Sequence, residues 1–426
     1  MKKIVFGMAM LAGAGALAAT VSNVAVTPTG AGLGPVEITY DLDAAAIVTF
    51  DVTTNGVSIG QGAANAGGDV NRYTLAGTGK RIFWMPHRDW EGHDLAGVQV
   101  KVTAWDLGVP PPYMVAEIHG GDVQYYASAD LIPDGGVTNR KYKTSHLVMR
   151  KVPAKDVVWT AGSRSGYAST AVREQMHRVK LSADFYIGVY AFTQGQFESV
   201  TNAGNQSATM SFANHELYPL TKYSLQKFRG ALRGTSATPT ATSLLGVLRA
   251  RTGLAFDLPN ATQWEFACRA GVADNVNVSG AAIGDVAWHS GNWRDDPALS
   301  ANGAHAVGQK LPNAFGLYDM QGNTMEASID MIITDTEAGW QATFGSVVGT
   351  DTDGESIYGD PTVPTSTSSS ATIVSMNGPY DNTPGDNNRS FSPGRKAAGR
   401  NFTTDNDGLL GFRLICPVAN AGRLEP

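Results

Sequence analysis

Cysteine is nearly missing from this chain: only Cys268 and Cys416 occur in 426 residues. Neither has a second Cys or a His at ligand spacing, which excludes zinc ribbons and Cys-x-x-Cys redox motifs. In an oxidising compartment two thiols of one chain commonly pair, so a Cys268 to Cys416 disulfide is expected, with two buried free thiols as the alternative. Clusters of Lys and Arg are also missing, and the net charge is −6. A nucleic-acid binder that tracks phosphates is therefore excluded. After the first twenty residues no apolar run is long enough to cross a bilayer, so no membrane span is expected. The eight histidines are scattered and give no His-x-x-x-His pair.

The chain opens with Met1-Lys-Lys-Ile, an apolar small-residue run and Ala16-Leu17-Ala18 before Ala19. That order is the pattern of a secretory signal, 1–19, with cleavage near Ala18/Ala19, and predicts export to the periplasm, the cell surface or the medium. The composition is that of a globular protein, 42% hydrophobic and 16% charged, while 49 glycines and 20 prolines point to many turns. The length suggests two domains.

From 20 to 108 short runs alternate with period two: Val36–Tyr40, Ala46–Thr53, Arg81–Met85 and Val98–Trp105. With Asn55-Gly56 as a hairpin turn, this predicts an antiparallel immunoglobulin- or fibronectin-like β-sandwich. His87, Asp89, Glu91, His93 and Asp94 share one stretch, expected to be a solvated loop because no second cluster would close a metal shell. Residues 109–145 begin with Pro110-Pro-Pro112 and are expected to be a linker with one hairpin. A second domain spans 146–420, followed by a 421–426 tail. Within it Leu220–Arg229 and Asn260–Arg269 are helix candidates. Asn260 stands as N-cap with Gln263 three residues on, and Trp264 and Cys268 fall on one buried face. The 361–370 segment is low in complexity and expected to be an exposed loop.

Four stretches stand in a fixed order: Phe185–Phe197, Leu258-Pro-Asn-Ala-Thr-Gln-Trp-Glu-Phe-Ala-Cys-Arg-Ala-Gly271, Pro312-Asn-Ala-Phe-Gly-Leu-Tyr-Asp-Met-Gln-Gly-Asn323 and Gly411-Phe-Arg-Leu414. Together they resemble the sulfatase-modifying-factor family, founded on the formylglycine-generating enzyme, across 146–417. The resemblance implies an α+β domain rich in loops, related to C-type lectins and carrying calcium. One implied calcium site is the Gly-Asn-x-x-Glu turn, with the Glu326 carboxylate joined by Gln321, Gly322, Asn323 and Thr324. The alternative is that Asn323 and Glu326 cap a turn. Asn292, after Trp288-His289, is implied in a second site.

Catalytic members of the family bind Cu(I) through two cysteines near the C-terminal end of the domain and oxidise a substrate cysteine. This chain has none in Asn388–Arg400, where Ser390, Phe391 and Ser392 stand near the second position. Hydroxyls cannot replace thiolates for a soft ion, so copper is not expected. Lectin-like relatives bind ligands through the segment before Gly-Phe-Arg. Here that face would comprise Phe391, Arg395, Lys396, Arg400, Asn401 and Phe402. The expectation is an exported, non-catalytic protein that holds a protein or glycan ligand. The alternatives are an oxidase with relocated metal ligands and an accessory subunit to an active paralogue.

Overall fold

The computed structural model describes residues 18–28, 34–93, 95–162, 176–202, 214–230, 238–271, 282–289, 291–292, 304–332, 345–360, 372–377, 395–396 and 410–418. The chain divides into two compact units, Met1–Ala116 with Asp122–Tyr142 and Val418–Pro426, and Glu117–Gly121 with Lys143–Pro417. Among the described residues no helix is long and apolar enough to cross a membrane.

The first unit is built from two antiparallel sheets. One runs Val21–Pro28, Val36–Leu42, Gly77–Trp84, Ala66–Gly68. In the other, Ala46–Thr54 pairs with Val57–Ser58, Arg72–Thr74 and Val98–Trp105. Val36–Leu42 buries every second residue strictly, as a strand with one covered face should. The sheets meet through Phe50 and Trp84, with ring centroids 6.2 Å apart. The Trp84 indole N–H donates to the Gly62 carbonyl at 2.7 Å, so its one polar atom is satisfied in the core. Asn55 and Gly56 both have positive φ, 50° and 78°, between the paired Thr54 and Val57. That is the two-residue turn whose twist matches the flanking strands.

Residues 109–145 depart from the expectation of a linker. The hairpin is there, Tyr113–Glu117 against Val123–Tyr126. The stretch also buries Met114, Tyr125, Tyr126, Leu131, Ile132 and Tyr142. Its prolines and glycines mark turns inside folded structure, and the aromatics between them supply the apolar area that keeps it packed.

The second unit has short elements and long connections. Its central strands are His146–Val152, Phe185–Gly188 and Ile415–Pro417, all antiparallel. A second sheet orders Val158–Ala161, His177–Lys180, Ser356–Gly359 and Ser346–Thr350. In a third, Met325–Ile332 pairs antiparallel with Thr372–Met376 and parallel with Leu410–Gly411. Helices Gln194–Thr201 and Ala261–Arg269 each begin with a complete capping box, Thr193 with Gln196 and Asn260 with Gln263. Phe185–Phe197 is thus a strand followed by a helix start. The helix expected over Leu220–Arg229 is confined to Leu225–Phe228, because the Leu220 N–H donates to Phe192 and Ser224 caps the start. Trp264 and Cys268 face one apolar cluster with Phe185, Ile187, Leu317, Met320, Met376 and Ile415. The chain is therefore mixed α+β, a β-sandwich followed by a loop-rich domain.

Candidate functional site

The Gly-Asn-x-x-Glu turn lies at the centre of the second unit. Gly322 takes φ +72°, and a Cβ there would stand 2.1 Å from the Trp288 carbonyl, so only glycine fits. Asn323 follows at φ 64°, its side-chain oxygen accepting the His305 N–H at 2.7 Å and its amide donating to the His305 carbonyl at 3.2 Å. Asn377, at the end of Thr372–Met376, closes the turn from the other side. Its amide donates to the Gly322 carbonyl at 2.7 Å, and its oxygen accepts the Gly322 N–H at 2.8 Å.

Glu326 is the second residue of the strand that follows, Met325–Ile332, and is 1% exposed. The Arg413 guanidinium, with no exposed surface, grips it through Nε at 2.8 Å and a terminal nitrogen at 2.8 Å. Trp264 donates its indole N–H at 2.5 Å to Oε2, the carboxylate oxygen that also accepts from Nε. The rest of the guanidinium is consumed by the carbonyls of Gly188 at 2.9 Å, Val189 at 3.2 Å and Tyr318 at 2.9 Å. A buried ion pair of this completeness keeps its charges because every lone pair and N–H has a partner.

This geometry corrects the calcium expectation at Glu326. Both carboxylate oxygens already accept hydrogen bonds, and a guanidinium 2.8 Å away puts a positive charge where the ion would go. The Gly322 carbonyl accepts from Asn377 at 2.7 Å and from the Thr324 N–H at 2.9 Å. Calcium needs six to eight oxygens, and this donor set does not fit it. Gln321 is buried beside the turn, and its amide nitrogen has no partner among the described residues. Asn292 is committed elsewhere too: its oxygen accepts the His289 N–H at 2.8 Å and its amide donates to Ala287 at 3.0 Å, which is a turn cap. Among the described residues no three His, Cys, Asp or Glu side chains gather as a metal site. In the first unit, His93 stacks on Trp90 with centroids 4.5 Å apart, while Asp94 lies outside the described residues.

The disulfide expectation is corrected as well. Both cysteines are free and buried. Ile415 belongs to the cluster that holds Cys268, and Cys416, the next residue on the same strand, does not. Successive strand residues point to opposite faces, so the two sulfurs lie on different sides of the strand. The Cys268 thiol donates to the Met320 carbonyl at 3.3 Å. Burial pushes both thiols up, Cys416 to about 12, and holds them protonated.

Two further carboxyls near the turn were not legible as site residues. Asp319 accepts the Gly308 N–H at 2.7 Å, and burial raises its pKa to about 6. Asp330 accepts the Ala261 N–H at 2.6 Å at the start of Ala261–Arg269, and burial raises its pKa to about 7. Arg413 and Asn377 were also missed as partners of the turn. The arginine of Gly-Phe-Arg is a signal that could have found one of them, since an arginine between apolar residues needs a carboxylate.

Of the expected ligand face, only Arg395 and Lys396 are described, as a short strand opposite Ser375 and Val374. Phe391, Arg400, Asn401 and Phe402 lie outside the described residues, as do 1–17 and 361–370. Asn377 stands just before the segment that carries the face, and Leu410–Gly411, which pairs in parallel with Met325 and Glu326, stands at its other end. Both of its ends are therefore tied to the Glu326 turn.

A family model described as the sulfatase-modifying factor enzyme 1-like domain matches residues 143–356. Treponema denticola variable protein 1 is 18% identical, with 64% of this chain and 95% of that one covered at a TM-score of 0.41. A structure of PvdO from Pseudomonas aeruginosa is 19% identical, covering 64% and 94% at 0.39. A structure of CarF is 15% identical, covering 63% and 97% at 0.37. No curated protein matches the sequence.

Proposed function

This chain belongs to the family of sulfatase-modifying factor enzyme 1-like domains, and from that premise we propose that it is an exported, non-catalytic binding protein. Its ligand, a protein or a glycan, is held by the segment between Asn377 and Leu410, through Phe391, Arg395, Lys396, Arg400, Asn401 and Phe402.

The anchoring of that segment carries the reading. Asn377 is locked to Gly322, and Gly411 to Glu326 two residues before Arg413, so both ends start from fully buried, hydrogen-bonded positions. A rigid base lowers the entropy lost when the segment holds a ligand. Aromatic and cationic side chains together suit polar partners, through stacking and charge-assisted hydrogen bonds. Against catalysis by the family's copper route stand the two thiols, both buried and protonated, Cys268 on helix Ala261–Arg269 and Cys416 on the far face of the strand Ile415–Pro417. Cu(I) chemistry needs adjacent thiolates.

The test has two arms on the full chain. On a glycan array the wild type is expected to bind a restricted set of sugars, and the Phe391→Ala, Phe402→Ala double variant to lose them. Retained binding by the variant overturns the assignment of the face. In the second arm a Cys-x-Pro-x-Arg peptide is incubated with the protein, Cu(I) and oxygen. A formylglycine mass change above the protein-free blank overturns the non-catalytic reading.

A further inference from the structure

We propose that the cleft between helices Gln194–Thr201, Leu225–Phe228 and Leu244–Thr252 binds a small hydroxylated organic anion, of the size and chemistry of an acidic monosaccharide. The cleft lies wholly within the second unit and has a volume of about 630 Å³. That is within the range of pockets that enclose small ligands, roughly 300–1,000 Å³.

The lining sets the ligand class. Lys227 and Arg251 both face the cleft, and among the described residues no acidic side chain lines it. In a chain of net charge −6 this is a local reversal of sign, and it selects for an anion. Arg251 is held in place by one N–H donated to the Ser199 carbonyl at 3.0 Å. A guanidinium fixed at one end keeps its remaining donors in a planar fork suited to a carboxylate, sulfate or phosphate.

The other groups fit hydroxyls better than a flat ring system. Tyr223, Gln226 and Thr242 offer donors and acceptors around a short apolar floor of Val200 and Val247. The Tyr223 ring is held edge-on to Phe197, with centroids 5.0 Å apart, and burial raises its pKa, so the hydroxyl stays neutral. Among the described residues it is the one aromatic ring lining the cleft, and these residues give the bases of a nucleotide no stacking pair.

The wall is built rather than incidental. The Ser243 hydroxyl donates to the Thr240 carbonyl at 2.7 Å and accepts the Gly246 N–H at 3.1 Å. A Cβ on Gly246 would stand 2.0 Å from the Thr240 carbonyl, so only glycine lets the helix come this close.

Isothermal titration of the full chain with galactose 6-sulfate, glucose 6-phosphate and glucuronate tests the assignment, with galactose and inorganic sulfate as controls. At least one acidic sugar is expected to bind one-to-one, more tightly than either control and more weakly as sodium chloride rises. Arg251→Gln and Lys227→Gln are each expected to weaken it about tenfold, the effect of one charge-assisted hydrogen bond. Lys227 is exposed, so its variant reports on the ligand without disturbing the core. The proposal is overturned if no acidic sugar binds, if galactose or sulfate alone binds as tightly, or if Lys227→Gln leaves the affinity unchanged in a protein of unaltered melting temperature.

Discussion

The two units treat buried charge in opposite ways. In the sandwich the buried polar side chains are Thr49, Asn71 and Thr74, and an ion pair such as Arg81 with Glu37 sits outside, the arginine side chain 64% exposed. Among the described residues of the second unit three arginines go under: Arg229 with Asp257, Arg269 with Glu265, and Arg413 with Glu326. Arg269 also donates to the Gly162 carbonyl at 2.8 Å, and the Gly162 N–H returns a bond to Glu265 at 3.1 Å. The sandwich is held by a repeating apolar face, which tolerates local error. A loop-rich domain lacks that repeat, and long polar side chains bond the carbonyls and N–H groups its irregular backbone leaves over.

The largest way to break the contrast is Arg413→Leu. It strands the Glu326 carboxylate in the core and is expected to cost about 3–5 kcal/mol in urea unfolding. The double variant Arg413→Met, Glu326→Leu is expected to recover most of that loss, since it removes both charges. Full retention of stability in Arg413→Leu alone would show that the pair contributes nothing.

A titration sharpens it next. The folded-state pKa of Asp330, raised chiefly by burial to about 7, lies above that of an unfolded aspartate. The folded protein therefore keeps a proton that the unfolded chain releases. This stabilisation is complete below about pH 4 and is lost as pH rises to about 7, at up to ~1.4 kcal/mol per pH unit. Asp330→Asn is expected to flatten that slope in melting experiments across the window, and an unchanged slope would assign the proton elsewhere. The smallest effect is Arg81→Ala on the sandwich surface, expected to change stability by less than about 1 kcal/mol. A larger loss would mean that the two units differ less than their burial suggests.

Legibility from sequence followed the same division. Period-two alternation located the four named sandwich strands to within a few residues, because each needs only its own side chains to declare a face. The Asn55-Gly56 turn and the Asn260–Gln263 cap were readable for the same reason, being local. What was not readable depended on partners far along the chain. Glu326 looks like a calcium ligand until Arg413, 87 residues away, is seen to hold it. The cysteines look like a disulfide until the strand places Cys416 on the face away from Cys268. Pro110-Pro-Pro112 signals a linker, whereas Tyr125, Tyr126 and Tyr142 farther on are buried.

The reach of Arg413 also bears on the order in which the chain can fold. Its contacts join it to Gly188, 225 residues earlier, and to Tyr318 and Glu326, 95 and 87 residues earlier. During synthesis, the Glu326 carboxylate has to wait, hydrated, until nearly the last residue of the domain arrives. Closing loops of that length is slow, because their entropy is lost before any contact forms. A chain cut anywhere before Gly411-Phe-Arg413 would carry an unpaired charge at its centre, so the domain completes its core last and only when whole.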